Sequence, residues 1–348
     1  MATHNDTTPE PTVFRARGME IDTRLTVFSK VFHVSSAILK MHSQYFFKFL
    51  DSADKIAVES SDGFKYDWVT KIVDDGKDWQ LVCAGPNAGD LNRPQWAKSK
   101  HERCYQTSAF RNILKAMYML PYRLDRVQDL SNMTCLARFY MCLPLVSRTL
   151  DGALARSHSL SRVDLRDSCS ELLSVAIELR HKALFEDSLI YCLGPFSNPV
   201  FQQMTDNKLN RLALSHYHKL RSDLSGLLHT IIHAMVEEGP LRGDHNTADD
   251  AFSSRPLACF RRAIDLEAQK FSGSGHVYLP RLLRGMLENE RVFSSFITKG
   301  LASFMQNDLT IRHGLSEEAG KDSSEDYFLV STIEGDDDYP WDTTVEDW

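Results

Sequence analysis

The chain has 348 residues, 43% of them hydrophobic and 25% charged, and a formal net charge of −7. This is the composition of a folded globular protein of two domains or one large one; it excludes collagen-like, mucin-like and wholly disordered chains. The charge is uneven: Ser316 to Trp348 carries −11 and everything before it +4.

No run approaches the ~20 consecutive apolar residues of a membrane span. The richest, Leu227 to Val236, is interrupted by His229, Thr230 and His233. The opening MATHNDTTPEPTVFRARG lacks an apolar core and holds Asp6 and Glu10, so neither a secretory signal nor a mitochondrial presequence is expected. Seven scattered cysteines without a C-x-x-C pair read as reduced thiols. The expected location is cytoplasmic, nuclear or both.

In chain order, residues 1–18 are polar and contain proline, which predicts a disordered tail. Thr23–Phe28 and Lys30–Val34 are rich in β-branched and aromatic residues and predict a tight hairpin, although Ser29-Lys30 is a poor turn pair. Ser35 to Leu50 predicts one helix. Ile38, Met41, Tyr45 and Phe49 recur at helical spacing, Leu39, Phe46 and Leu50 lie beside them, and Ser35 or Ser36 can cap the start. Tyr66–Val73 and Trp79–Cys83 flank Asp75-Gly76 and predict a second hairpin. Residues 84–101 read as a loop. Helical patterning then covers Ala109–Tyr118, Leu130–Tyr140 and Pro144–Leu154. Beyond about residue 160 strand signals vanish. Leu165–Leu184, Phe185–Leu193, Lys208–Val236, Leu257–Phe271 and Tyr278–Met305 predict helices, and Gly243 to Ser254 a surface loop.

Chemistry-bearing patterns are sparse. His229 and His233 would share a helix face, but no third ligand lies at a sensible offset and position 230 is Thr, where a metalloprotease motif needs Glu. His216 and His218, two apart, point to different sides of a helix. There is no Gly-x-Ser-x-Gly, the cysteines sit in apolar contexts, and Gly273-Ser-Gly275 lacks the rest of a phosphate-binding loop. No catalytic, cofactor-binding or metal-ligating residue is assigned. Arg261-Arg262 and the Arg281, Arg284, Arg291 series make local positive faces. A body of only +4 without a nucleic-acid motif argues against a nucleic-acid partner. In the acidic segment, Tyr339, Trp341 and Trp348 stand among carboxylates, as expected of a hydrated, extended tail whose aromatics are offered to a pocket. A merely solubilising tail and a tail docked on the Arg-rich face are the alternatives.

Asp22, Leu25, Val27 and Phe32, followed by Leu39, Ser43 and Phe46, resemble the opening of a BTB/POZ domain: an Asp, a short strand pair ending in an aromatic, then a helix of the form L-x-x-x-S-x-x-F. Phe110, Leu114, Tyr118, Leu136-Ala137 and Tyr140 are similar to the paired helices that close that domain. The hairpin with Tyr66, Trp68, Asp75-Gly76 and Trp79 resembles the expanded BTB domains of filamentous fungi. The resemblance covers about residues 19–155. Two departures stand out. Ser35 and Ser36 occupy positions where many members carry a His and then a basic residue, with His33 displaced. No hydrophobic-x-Glu cullin signature lies around residues 105–110, and Glu102 follows His101.

The expected fold is an α+β N-terminal BTB/POZ-like module, a small sheet covered by helices, followed by a mainly α-helical C-terminal region. The expected boundaries are a tail at 1–18, the module at 19–155 with an inserted hairpin at 64–83, a helical domain at 156–313 and an acidic, disordered tail at 314–348. The resemblance implies an interaction adaptor with protein partners, among them a cullin and a recruited substrate, and homo-oligomerisation. A nuclear scaffold or transcriptional co-regulator acting through the tail is the alternative from another class, and an enzyme with an unrecognised site is a third. The interaction candidates are Asp22, Phe32, His33, Met41, Tyr45, Phe49, Tyr339, Trp341 and Trp348.

Overall fold

The structure, a computed structural model, describes residues 10–52, 63–84, 96–237, 264–265, 278–288, 295–311, 317–345 and 348. The chain divides into two compact units, one running to Leu160 and the other spanning Ser161–Thr344. Loop 243–254 and, apart from 264–265, the helix expected at 257–271 lie outside the described residues.

The first unit is built on a mixed five-stranded sheet. Its strands are β1 (Thr12–Val13), β2 (Thr23–Val27), β3 (Lys30–Val34), β4 (Tyr66–Val73) and β5 (Asp78–Cys83), in the order β1-β3-β2-β4-β5. β2 and β3 form the expected hairpin, with Val27 opposite Lys30, so the turn is Phe28-Ser29. Phe28 takes a left-handed conformation with φ 51. A non-glycine residue pays about 1 kcal/mol for that backbone, and tertiary contacts offset it. Its N–H donates to Thr70 Oγ1 at 2.7 Å, and its ring lies 5.2 Å from Trp79 and 5.3 Å from Trp96. In the second hairpin Asp74, Asp75 and Gly76 all have positive φ.

One expectation for this unit is corrected. Residues 10–18 are not a loose tail: β1 pairs in parallel with β3, Phe14 N–H donates to His33 O at 2.9 Å, and the Phe14 ring is buried against Phe32 and Tyr118. The apolar Thr12-Val-Phe14 run outweighs the polar flanks. The second hairpin, expected as an insertion at 64–83, joins the same sheet. β4 pairs in parallel with β2, Leu25 opposite Trp68, and so sits between β2 and β5.

The helix expected over 35–50 is broken into α1 (Ser36–His42) and α2 (Gln44–Phe49). The break is Ser43, extended at φ −138, ψ 116. Its hydroxyl accepts from Phe46 N–H at 3.1 Å and donates to Tyr140 O at 2.6 Å. A serine side chain that satisfies both a cap donor and a distant carbonyl competes successfully with helix continuation. Three longer helices follow, α3 (Lys100–Met117), α4 (Val127–Phe139) and α5 (Leu143–Leu154). The core lies between sheet and helices: Leu25, Phe32, Leu39, Phe46, Tyr66, Trp68, Leu81, Phe110 and Tyr140 are fully buried. Each such large side chain contributes about 1.5–3 kcal/mol of burial.

The second unit holds α6 (Arg162–Asp167), α7 (Cys169–Leu179), α8 (Lys182–Cys192), α9 (Asn207–Glu237), α10 (Leu279–Glu288) and α11 (Ser295–Phe304). Arg180 in the left-handed region (φ 49) ends α7 and splits what the sequence reads as one helix over 165–184. Here the largest correction falls. Described residues of the segment expected to be a disordered acidic tail are packed: Ala319, Tyr327, Phe328, Leu329 and Val330 are buried. Two glycines permit this close approach. A Cβ on Gly194 would sit 2.2 Å from the Tyr327 ring, and one on Gly320, at φ +76, would sit 2.5 Å from Pro280 O.

Candidate interaction surfaces

Asp22 precedes β2, and its carboxylate caps α1 from outside the helix. Ser36 N–H and hydroxyl donate to it at 2.7 and 2.5 Å, and the Thr23 hydroxyl donates at 3.0 Å. Ser35 N–H is taken by the Tyr118 hydroxyl at 2.6 Å. Ser35 and Ser36 therefore have partners of their own, and the Asp22 carboxylate is hydrogen-bonded without a cation. His33 is not part of that group. It lies opposite Arg24 in the sheet, 4.6 Å from the Phe64 ring; burial, then the Arg24 charge, holds its imidazole below the ordinary value. Arg24 is in turn held by Asp67, Nε to Oδ1 at 3.1 Å.

Tyr45 and Phe49 do come together, 4.8 Å apart on α2. Tyr45 also meets Phe46, Trp68, Phe139 and Tyr140, and its hydroxyl donates to Leu81 O at 3.4 Å. Phe32 is no surface candidate: it is 1% exposed, a core ring between Phe14 and Phe110. Its alternating strand position already pointed inward. Met41 is exposed at the end of α1.

The neighbourhood of α2 holds apolar residues that sequence reasoning missed. Phe47 is 69% exposed, Phe139 is exposed, and Met141, whose carbonyl accepts from Gln44 N–H, is 54% exposed. Met141 and Met119 close α4 and α3 in the same way. Each follows a tyrosine and has positive φ, 50 and 53. Each is followed by a residue whose N–H reaches back into the last turn, Cys142 to Ala137 O and Leu120 to Lys115 O, both at 2.8 Å. This is the glycine-ended helix stop made with methionine. A flexible apolar side chain is thus held on the surface, 72% exposed for Met119, at the cost of backbone strain. The repeated Tyr-Met after each apolar helix was the available signal.

In the second unit the acidic segment lies against its own body. Tyr339 and Trp341 pack against Phe185 of α8, tilted at 5.7 Å and edge-on at 5.2 Å, and lie 5.1 Å from each other. The Tyr339 hydroxyl donates to Glu186, and burial together with that carboxylate pushes its pKa up. Lys182 meets Asp336 at 2.6 Å, and Lys219 meets Glu334 at 3.1 Å and Asp338 at 3.6 Å. Arg281 pairs with Glu325 at 2.6 Å and Arg284 with Glu318 at 3.9 Å, so part of the Arg-rich face is occupied; Arg261, Arg262 and Arg291 lie outside the described residues. His216 Nδ1 is 2.9 Å from Thr332 Oγ1. Asp187 accepts from the N–H groups of Thr310 and Ile311, both at 2.8 Å, and burial lifts its pKa to about 6. Trp348 is exposed and lies outside this unit.

Among the described residues, no group of three or more His, Cys, Asp or Glu side chains is placed to hold a metal ion, and no helix is long and apolar enough to cross a membrane. Comparison with protein-family models, curated proteins and solved structures finds no match. The likeness to BTB/POZ domains rests on the residues quoted for it.

Proposed function

We propose that this chain is a protein–protein interaction adaptor whose first unit is a BTB/POZ-like module. One observation carries the reading: α2 and the end of α4, joined by the Gln44 N–H bond to Met141 O, leave large apolar side chains on the surface, with Phe47 and Met141 more than half exposed. Exposed contiguous apolar surface marks sites of association, and aromatic and methionine side chains are enriched where proteins meet. The mixed sheet, the Asp22 cap and the helices closing over Tyr140 support the family assignment. The specific form of the proposal is a substrate-recruiting subunit of a cullin-class ubiquitin ligase, with self-association through the same face.

The alternative, a scaffold acting through the acidic aromatics, requires Tyr339 and Trp341 to leave Phe185, and is less favoured for that reason. The test uses the full chain and its Phe47→Asp/Met141→Asp variant, both at exposed positions. The unsubstituted chain is expected to co-elute with a cullin N-terminal region at micromolar concentration and to capture partners from its native cell; the variant is expected to lose at least tenfold in capture. Absence of the cullin complex removes the ligase form. Unchanged capture by the variant removes the apolar surface as the adaptor face.

A further inference from the structure

The +4 of the body is not spread evenly over the first unit. On α3, Lys100, Arg103, Arg111 and Lys115 fall within about 140° of one another around the helix axis, a single face at 100° per residue. Lys30, the first residue of β3, lines a hollow of 680 Å³ together with Lys100, Arg103 and Arg111. Arg111 also borders an adjoining hollow of 470 Å³ with Lys115 and Arg123. Among the described residues none of these six cations forms an ion pair. The acids in the walls are few: Glu10, Asp125 and Asp129, the last already engaged by Arg126. Burial, then the like charge of Arg111, depresses the pKa of Lys115. Self-repelling cations gathered along one groove await an anionic ligand.

The larger hollow is not purely polar. Phe28 lines it, backed by the Trp79 and Trp96 rings. Thr12 of β1 lines it too, and β1 is an edge strand that pairs only with β3 among the described strands. A sheet edge beside an apolar floor and a cationic wall has the three elements that hold an extended peptide: main-chain pairing, a side-chain pocket and charge. The chain's own acidic segment has its cations elsewhere, at Lys182, Lys219, Arg281 and Arg284. We infer that the groove between β1, the β2–β3 turn and α3 binds an extended acidic segment of a partner protein, one apolar side chain of which rests on Phe28. This deepens the adaptor reading and takes from it only the class of ligand.

The test is fluorescence anisotropy on the full chain with three labelled probes: a ten-residue peptide of Asp and Glu around a central Phe and Leu, its Asn/Gln counterpart, and a twelve-nucleotide single-stranded DNA. The acidic peptide is expected to bind at least tenfold more tightly than the neutral one, and more weakly as salt is raised. Arg103→Glu/Arg111→Glu and Lys30→Glu/Lys100→Glu are each expected to cost at least tenfold; all four side chains are exposed, so folding is expected to be retained. Equal binding of the neutral peptide, or indifference to both reversals, overturns the inference. DNA binding that exceeds peptide binding and disappears in the same variants overturns it in favour of nucleic acid. Partner capture through Phe47 and Met141 is scored separately. Failure of the unsubstituted chain to bind the acidic peptide, with partner capture through Phe47 and Met141 intact, sinks this groove alone; peptide binding without such capture sinks only the apolar adaptor face.

Discussion

The second unit and the α3 groove of the first treat their cations in opposite ways. In the second, Lys182, Lys219, Arg281 and Arg284 each meet a carboxylate of the C-terminal segment. In the first, the cations along α3 line open hollows with no ion pair among the described residues. A net charge therefore says little about availability. The −11 segment is largely engaged by its own body, while the modest positive excess is the part left open. Exposed pairs are individually worth about 0–1 kcal/mol, so the docking of the acidic segment must rest mainly on its apolar and aromatic contacts.

The strongest way to break this contrast is to wedge the segment away. Gly194→Ala places a methyl group into the Tyr327 ring, and overpacking of this kind costs about 1–3 kcal/mol. Urea unfolding followed by Trp341 fluorescence is expected to move to a lower midpoint, equivalent to a loss of that much free energy. Unfolding of the first unit, followed by Trp68, is expected to be unchanged. An unaltered Trp341 transition shows that the segment does not depend on Gly194.

Acidity offers a sharper probe. Asp187, held at about 6 by burial, takes up a proton in the fold before it does so in the unfolded chain. Its contribution to stability therefore rises as pH falls, by about 1 kcal/mol between pH 7 and 5. His216 acts oppositely. Burial holds its imidazole below 6.5 against the pull of Asp338, so the unfolded chain protonates first and stability is lost as pH falls from the unfolded value toward the lower folded one. The two slopes oppose each other in the intact protein. His216→Gln removes one of them, and the variant is expected to gain more stability than the parent on acidification from pH 7 to 5. A parallel response of parent and variant in urea titrations contradicts the assignment.

On the first unit, Met119→Gly and Met141→Gly remove the left-handed strain, and each is expected to raise stability by about 1 kcal/mol while weakening partner capture. Stabilisation with unimpaired capture makes these methionines purely structural. The smallest effect is expected for Lys182→Ala, at most about 1 kcal/mol because both members of its pair with Asp336 are exposed; a larger loss assigns the docking to charge.

Legibility in the sequence followed the range of the interactions that decide each element. Both hairpins are local, and their alternation and the Asp75-Gly76 turn mark them. The break at Ser43 is invisible from its neighbours because the carbonyl that holds its hydroxyl belongs to Tyr140. The parallel pairing of β2 with β4 is similarly non-local. The acidic segment misled through composition: its charge signals disorder, yet Tyr327-Phe-Leu-Val330 supplies enough apolar surface to bury. Of the candidate surfaces, Tyr45 and Phe49 were readable from helical spacing. The α3 cation face was readable in principle, but only once the helix is known to begin at Lys100, inside the stretch that reads as a loop.

The position of β4 in mid-sheet has a consequence for the order of events during synthesis. The β2–β3 hairpin is complete once Val34 has emerged, with Leu25 opposite Phe32, but the other side of β2 has no partner strand until Trp68 arrives. At roughly 5–20 residues per second, that leaves the hairpin waiting for seconds with one ladder edge unsatisfied. The interval between the two hairpins is the period in which a nascent chain is most open to chaperone capture or to pairing with a neighbouring chain, and mispairing would begin there.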